Sequence, residues 1–238
     1  MSGWKAKRFW SQATVETMAA GFTVHLDGGP VKTPAKASLI VPTRAMAAAI
    51  ATEWDAQTAE VDPRTMPVTR SANAAIDKVA HQHAEVAQMI ADYGDSDLLC
   101  YRATGPAELV ARQAEGWDPV LDWAADALGA QLVAAQGVMH RPQDPASLAR
   151  LSARVAALND FELAAFHDLV SLSGSLILGF AVEAGHLSVD TAWHLSRIDE
   201  EWQIEQWGAD EEATAMAAAK RLAFDDAKSF LDLARAPA

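Results

Sequence analysis

The chain has 238 residues, half of them hydrophobic, enough to bury one large core or two small ones. Its 32 acidic residues against 19 basic ones leave a formal charge of −13, which disfavours nucleic-acid phosphates and anionic lipid and suits a basic or apolar protein surface. The lone Cys100 can close no internal disulfide, as expected in a reducing compartment.

Taken in chain order, Met1 to Trp10 carries basic residues with no apolar stretch behind them, so no secretory signal is expected, and the segment is too short for a transit peptide. Phe22 to Leu26, the turn Asp27-Gly28-Gly29 and Pro30 to Thr33 read as a β-hairpin, because Asp-Gly and Gly-Gly permit the positive φ that a tight turn needs. Leu39 to Val41 predicts a further strand, ended by Pro42. From Thr43, a plausible N-cap, the period becomes helical as far as Gln57, and Pro63 and Pro67 then interrupt it. Ile76, Val79, Val86 and Ile90 share one face of a helix expected over Ser71–Tyr93.

Leu98 to Tyr101 is either a short strand or a buried linker. Helices are predicted over Ala107–Leu128, Ser147–Leu158, Phe161–Ala184, Val189–Trp207 and Glu211–Leu233, with Ser188 and Asp210 as caps. The apolar run Leu169–Val182 is too short for the roughly 20 residues of a membrane span, so it predicts a buried core helix and no membrane insertion. The fold class is therefore α+β: a small N-terminal β-rich domain, 1–60, followed by a larger mainly α-helical domain, 61–238. The boundary is soft, near residues 42 to 62.

Motifs for chemistry are missing. No phosphate-binding loop, Gly-x-Gly-x-x-Gly, Cys-x-x-Cys or His-Glu-x-x-His occurs. His81 and His83 lie two apart, which on a helix points them about 200° apart, and they read as solvated rather than as metal ligands. Gly94-Asp95-Ser96 ends a helix and reads as a capping loop, not a nucleophile elbow. Asp92, Asp95 and Asp97 lack the ligand loop and distal Glu of an EF-hand. Ser171, Ser173, Gly174, Ser175 and Gly179 read as small residues for close helix packing. Of the eight tryptophans, any that stays exposed is a candidate binding anchor. No catalytic residue, cofactor or metal is expected.

Several strings fall in one order. They are Arg8-Phe9-Trp10, Leu26 to Pro34, Glu53-Trp54-Asp55-Ala56-Gln57, Met66 to Thr69, Ala75-Ile76-Asp77, Asp97 to Arg102, Gln113, Trp117-Asp118-Pro119, and Asp199 to Gly208. Together they span most of the chain, and it resembles the ATP synthase α-subunit assembly chaperone family, the "ATP-twelve" family of mitochondria and their bacterial relatives. Trp202 departs from the family's usual smaller aromatic before the glutamine.

The resemblance implies a β-rich N-terminal part, a helical C-terminal part and no enzyme activity. It implies a cytoplasmic bacterial protein, a monomer when free, that binds the unassembled α subunit of F-type ATP synthase, prevents its aggregation and hands it to β subunit. Asp199, Gln203 and Trp207 lie at i, i+4 and i+8, hence on one stripe, flanked by Glu200 and Glu201. With the resemblance, these five residues become the candidate partner-binding set, the carboxylates facing basic groups of the α subunit. The blander account pairs Arg197 with Glu201 as a surface ion pair.

Trp54 and Asp55 are read as structural, with Trp54 docking its helix onto the β part, and Asp97 and Arg102 as an internal tie. The rival reading is a small-molecule enzyme in which carboxylates such as Glu53, Asp77 and Glu200 form an acid/base pair in a helical cleft, which requires groups converging on a substrate proton.

Overall fold

The computed structural model describes residues 7–237 and divides them into two compact units. The first comprises the residues up to His83, Asn159–Ala165 and the residues from Ser229 on; the second comprises Ala84–Leu158 and Phe166–Lys228.

In the first unit, β1 (Ala13–Met18), β2 (Gly21–Leu26) and β3 (Gly29–Pro30) form an antiparallel sheet in the order β1-β2-β3. Ala13 stands opposite Leu26 and Met18 opposite Gly21. The predicted turn is made by Asp27 and Gly28, at φ 47° and 85°, the paired positive φ of a tight hairpin. Leu39–Val41 is not a full strand. It runs beside β2 through two backbone hydrogen bonds, Val41 N to Phe22 O at 2.8 Å and Phe22 N to Val41 O at 2.9 Å.

Helix α1 (Arg44–Asp55) starts at Thr43, whose hydroxyl accepts from Met46 N. Met46, Ala47 and Ile50 are buried on α1, as are Val24 and Leu26 on β2. The hydroxyl of Thr43 also donates to Leu233 O at 2.6 Å, and Arg235 Nε meets Glu162 Oε1 at 2.6 Å, so the chain's last residues belong to this unit.

The helix expected over Ser71–Tyr93 is broken. It is α2 (Pro67–Asp77), a 3₁₀ turn over Val79–His81, and α3 (His83–Ala91), which is followed by a second 3₁₀ turn. Lys78, at φ −125° and ψ −62°, leaves helical geometry although the apolar period continues through it.

The second unit contains α3 from Ala84 on, β4 (Tyr101–Arg102), α4 (Ala107–Leu128), β5 (Ala135–Gln136), α5 (Pro145–Ala156), α6 (Asp160–Ser173) from Phe166 on, α7 (Leu176–Glu183), α8 (Val189–Ser196), α9 (Ile198–Trp207) and α10 (Glu211–Ala234) as far as Lys228. β4 and β5 pair in parallel. Two long predicted helices are each split in two. Gly174, at φ 74°, ends α6, and Ser175 caps α7 by accepting from Leu178 N. Arg197, at φ −113° and ψ 8°, separates α8 from α9. The run Leu169–Val182, predicted as one core helix, is broken at Gly174, and its second part, Leu176–Val182, is buried throughout. No helix of the described residues is long and apolar enough to cross a membrane.

Candidate functional site

Helix α9 carries three acidic residues in its first turn, Asp199, Glu200 and Glu201, where the positive end of the helix dipole favours them. Ile198 is its only buried residue. What holds so polar a helix in place is a set of side-chain ties. Arg112 of α4 makes a bidentate pair with Glu205 at 2.7 and 2.8 Å, and its guanidinium lies over the Trp202 ring at 5.0 Å. The Glu205 carboxyl is held below its ordinary pKa chiefly by the Arg112 hydrogen bond. The buried Gln113 amide donates to Asp199 at 2.6 Å and accepts from Ala103 N at 2.8 Å.

Of the predicted stripe, Asp199 is half-buried while Gln203 and Trp207 are exposed; Trp207 is 80% accessible. The flanking carboxylates have partners of their own. Glu200 pairs with Arg197 at 2.8 Å and Glu201 with His194 Nδ1 at 3.1 Å. The Arg197–Glu201 pair of the blander account is thus replaced by an i, i+3 pair one residue earlier. Sequence reasoning did not assign Arg112, Gln113, His194 or Arg197 to the site. Only the i, i+3 spacing of Arg197 and Glu200 was available to find one of them.

Two grooves border α9. One, of about 420 Å³, lies between α9 and the connection from β4 to α4, with Val138 at its edge; the other, of about 330 Å³, lies between α9 and the first turns of α10. Gln203 and Trp207 line both.

The residues read as structural sit as follows. Trp54 is half-buried, with its ring edge-on to Trp10 at 5.2 Å. Asp55 accepts from Ala13 N of β1 at 2.9 Å. Asp97 and Arg102 do not pair with each other. Asp97 is fully buried and accepts from Leu99 N, Ser175 Oγ and Ile177 N at 2.7–3.0 Å, bracing the start of α7. Arg102 instead donates to Leu99 O at 2.8 Å and meets Asp118 at 2.6 Å. Burial pushes the Asp97 carboxyl up to about 6, against the hydrogen bonds from Ile177, Ser175, Leu99 and Leu176 that lower it. Burial and the neighbouring Asp97 push the Cys100 thiol up to about 12, so it stays protonated and unreactive at neutral pH.

The carboxylates of the enzyme reading do not converge. Glu53 accepts from Val68 N, Thr69 N and Thr69 Oγ1 at the start of α2, Asp77 accepts from Thr33 Oγ1 and Ala35 N, and Glu200 is occupied by Arg197. Among the described residues no group of three His, Cys, Asp or Glu side chains is placed to hold a metal ion.

Residues 7–125, half of the chain, match the family model described as ATP12 chaperone protein. The chain is 27% identical over 219 residues to "Protein atp12, mitochondrial" of Schizosaccharomyces pombe, covering 87% of this chain and 75% of that one. The crystal structure of Atp12 from Paracoccus denitrificans matches with a TM-score of 0.95 and 53% identity, covering 98% of this chain and all of that one. A candidate chaperone from Agrobacterium tumefaciens matches with a TM-score of 0.90 and 45% identity, over 95% of this chain and 85% of that one. The family and the Agrobacterium protein are described as chaperones, not enzymes. Sharing more than half of its residues with a chain whose fold it follows almost throughout, this protein belongs to the ATP12 chaperone family.

Proposed function

We propose that this chaperone serves F-type ATP synthase assembly by binding the unassembled α subunit, keeping it from aggregating, and yielding it to β subunit as the catalytic ring forms. Membership of the ATP12 family carries the reading. The surface of α9 supports it, because a helix that buries only one residue, and ends in an exposed tryptophan, is built to face something other than its own core. In this reading the protein is a monomer when free and works in the bacterial cytoplasm. Asp199, Glu200, Glu201, Gln203 and Trp207 face the client.

A lone ring subunit exposes surfaces meant for its neighbours, and covering them suppresses aggregation. Because the client must later leave, moderate affinity with rapid release suits the task.

The test is size-exclusion chromatography of the protein mixed with freshly refolded α subunit of the same organism, with β subunit as control. Co-elution with α alone, and less light scattering from α, is expected; α that aggregates at its usual rate and never co-elutes would overturn the reading. Glu201→Lys, which removes the contact with His194 and reverses the charge, is expected to fold normally and lose the complex. Intact binding by that variant would remove Glu201 from the interface.

A further inference from the structure

We propose that the two grooves beside α9 form one bipartite docking surface for a cationic amphipathic segment, which places an apolar side chain in each groove with Trp207 standing between them. The proposal deepens the chaperone reading and rests on it for the identity of the client.

Three observations converge. Trp207 and Gln203 belong to both grooves, so the end of α9 is a ridge and not the wall of a single cleft. Large apolar side chains lie on the rims, where solvent reaches them: Val138 at 90% and Trp207 at 80% accessibility on the first groove, and Ile204 at 44% on the second. Single exposed apolar residues are ordinary, but several around adjoining concave surfaces form the kind of patch that marks a protein contact. The ridge is also held firm by the Arg112–Glu205 pair and the Gln113–Asp199 hydrogen bond, so docking on it requires little ordering of the chaperone itself.

Charge selects the occupant. Glu200 and Asp210 line the second groove and Asp199 the first. Glu211 and Glu212 follow at the start of α10, exposed and without an ion-pair partner among the described residues. The nearby cations, Arg102, Arg112 and Arg197, are already matched to Asp118, Glu205 and Glu200. The rim therefore carries uncompensated negative charge. A second copy of this chain, itself at −13, would bring the same acidic rim against it. A segment with Lys or Arg beside its apolar residues meets both the charge and the grooves.

Two synthetic peptides with identical apolar residues test this, one carrying lysines on its polar face and one carrying glutamates. Both are labelled and titrated against the full-length protein by fluorescence anisotropy. The lysine peptide is expected to bind. Trp207→Ala should weaken it about tenfold or more, as truncation of an aromatic anchor does. Ala213→Gln, which fills the second groove without changing charge, should also weaken it. Leu222→Ser, an exposed apolar residue lining neither groove, should leave it unchanged.

Equal binding of both peptides, indifference to Trp207→Ala, or self-association through this face in sedimentation would overturn the proposal. The α subunit separates this failure from failure of the client reading. If α co-elutes equally with the native protein and with Trp207→Ala, the docking surface is wrong and the client is right. If the lysine peptide seats on the grooves and α never co-elutes, the surface stands and the client is wrong.

Discussion

Asp97 is a fully buried carboxyl whose chemistry departs well from its ordinary value. Raised from the usual aspartate pKa to about 6 by burial, its carboxyl is more easily ionised in the unfolded chain than in the folded one. Its contribution to stability is therefore full below about pH 4 and is lost as pH rises through about 6. The cost of keeping the charge buried above that is on the order of 3 kcal/mol. Asp97→Asn removes the titration, but an amide offers only one acceptor atom where the carboxylate offers two to Leu99, Ser175 and Ile177. The variant is expected to be less stable than the native protein, and its deficit in denaturant melts should be larger at pH 4.5 than at pH 7.5. A deficit that shrinks on acidification would mean that the three donors outweigh burial. Sequence alone marked Asp97 as structural but assigned it the wrong partner: a neighbour at i+5 is visible in the string, whereas Ser175 stands 78 residues away. Caps were legible because they act locally. Thr43, Ser188 and Asp210 each accept from a backbone N–H three residues on.

Among the elements, the breaks between helices were harder to foresee than the helices themselves. Ala107–Leu128 is a single helix over the bounds its pattern suggested, closed by Gly129 in the left-handed region. The breaks at Lys78 and Arg197 interrupt runs whose apolar period continues, whereas that at Gly174 carries a local signal, a left-handed glycine followed by an N-cap serine. The split at Gly174 lets α7 fold back against α6. Gly179 then lies so close that an added Cβ would meet Val170 Cγ2 at 2.7 Å and the Phe166 ring at 3.3 Å. Gly179→Ala is expected to destabilise by about 1–3 kcal/mol, the usual cost of overpacking, despite the better helix propensity of alanine. A higher melting temperature for this variant would show that the α6–α7 contact can open without cost. Of the small residues of this segment, Gly179 packs closely as read, whereas Gly174 ends α6, Ser175 caps α7 and Ser171 is exposed. The surface of α9 was legible as a stripe, but the ties from Arg112, Gln113 and His194 were not, since nothing in the string shows which other segments come to rest beside it.

For the molecule as a whole, a net charge of −13 predicts a client interaction steered by electrostatics. Raising salt from about 0.05 M to 0.5 M shortens the screening length from roughly 14 Å to 4 Å. The proposed complex with α subunit should weaken about tenfold over that range, mostly through slower association, while the free chaperone melts no lower because its own repulsion is relieved. A salt-indifferent complex would point to apolar contact alone. The acidic balance was readable from composition. The first groove was not, because it joins Val138, the connection from β4 to α4 and α9, which meet only in the folded chain.

The hydrogen bond from Thr43 to Leu233 spans 190 positions, and the ion pair from Glu162 to Arg235 ends at the same stretch. During synthesis the first eighty or so residues leave the ribosome long before these partners exist. A chain interrupted before Leu233 lacks these ties, so its first unit is left unfinished and open to proteolysis. Only chains translated past Arg235 can complete the protein's own first unit.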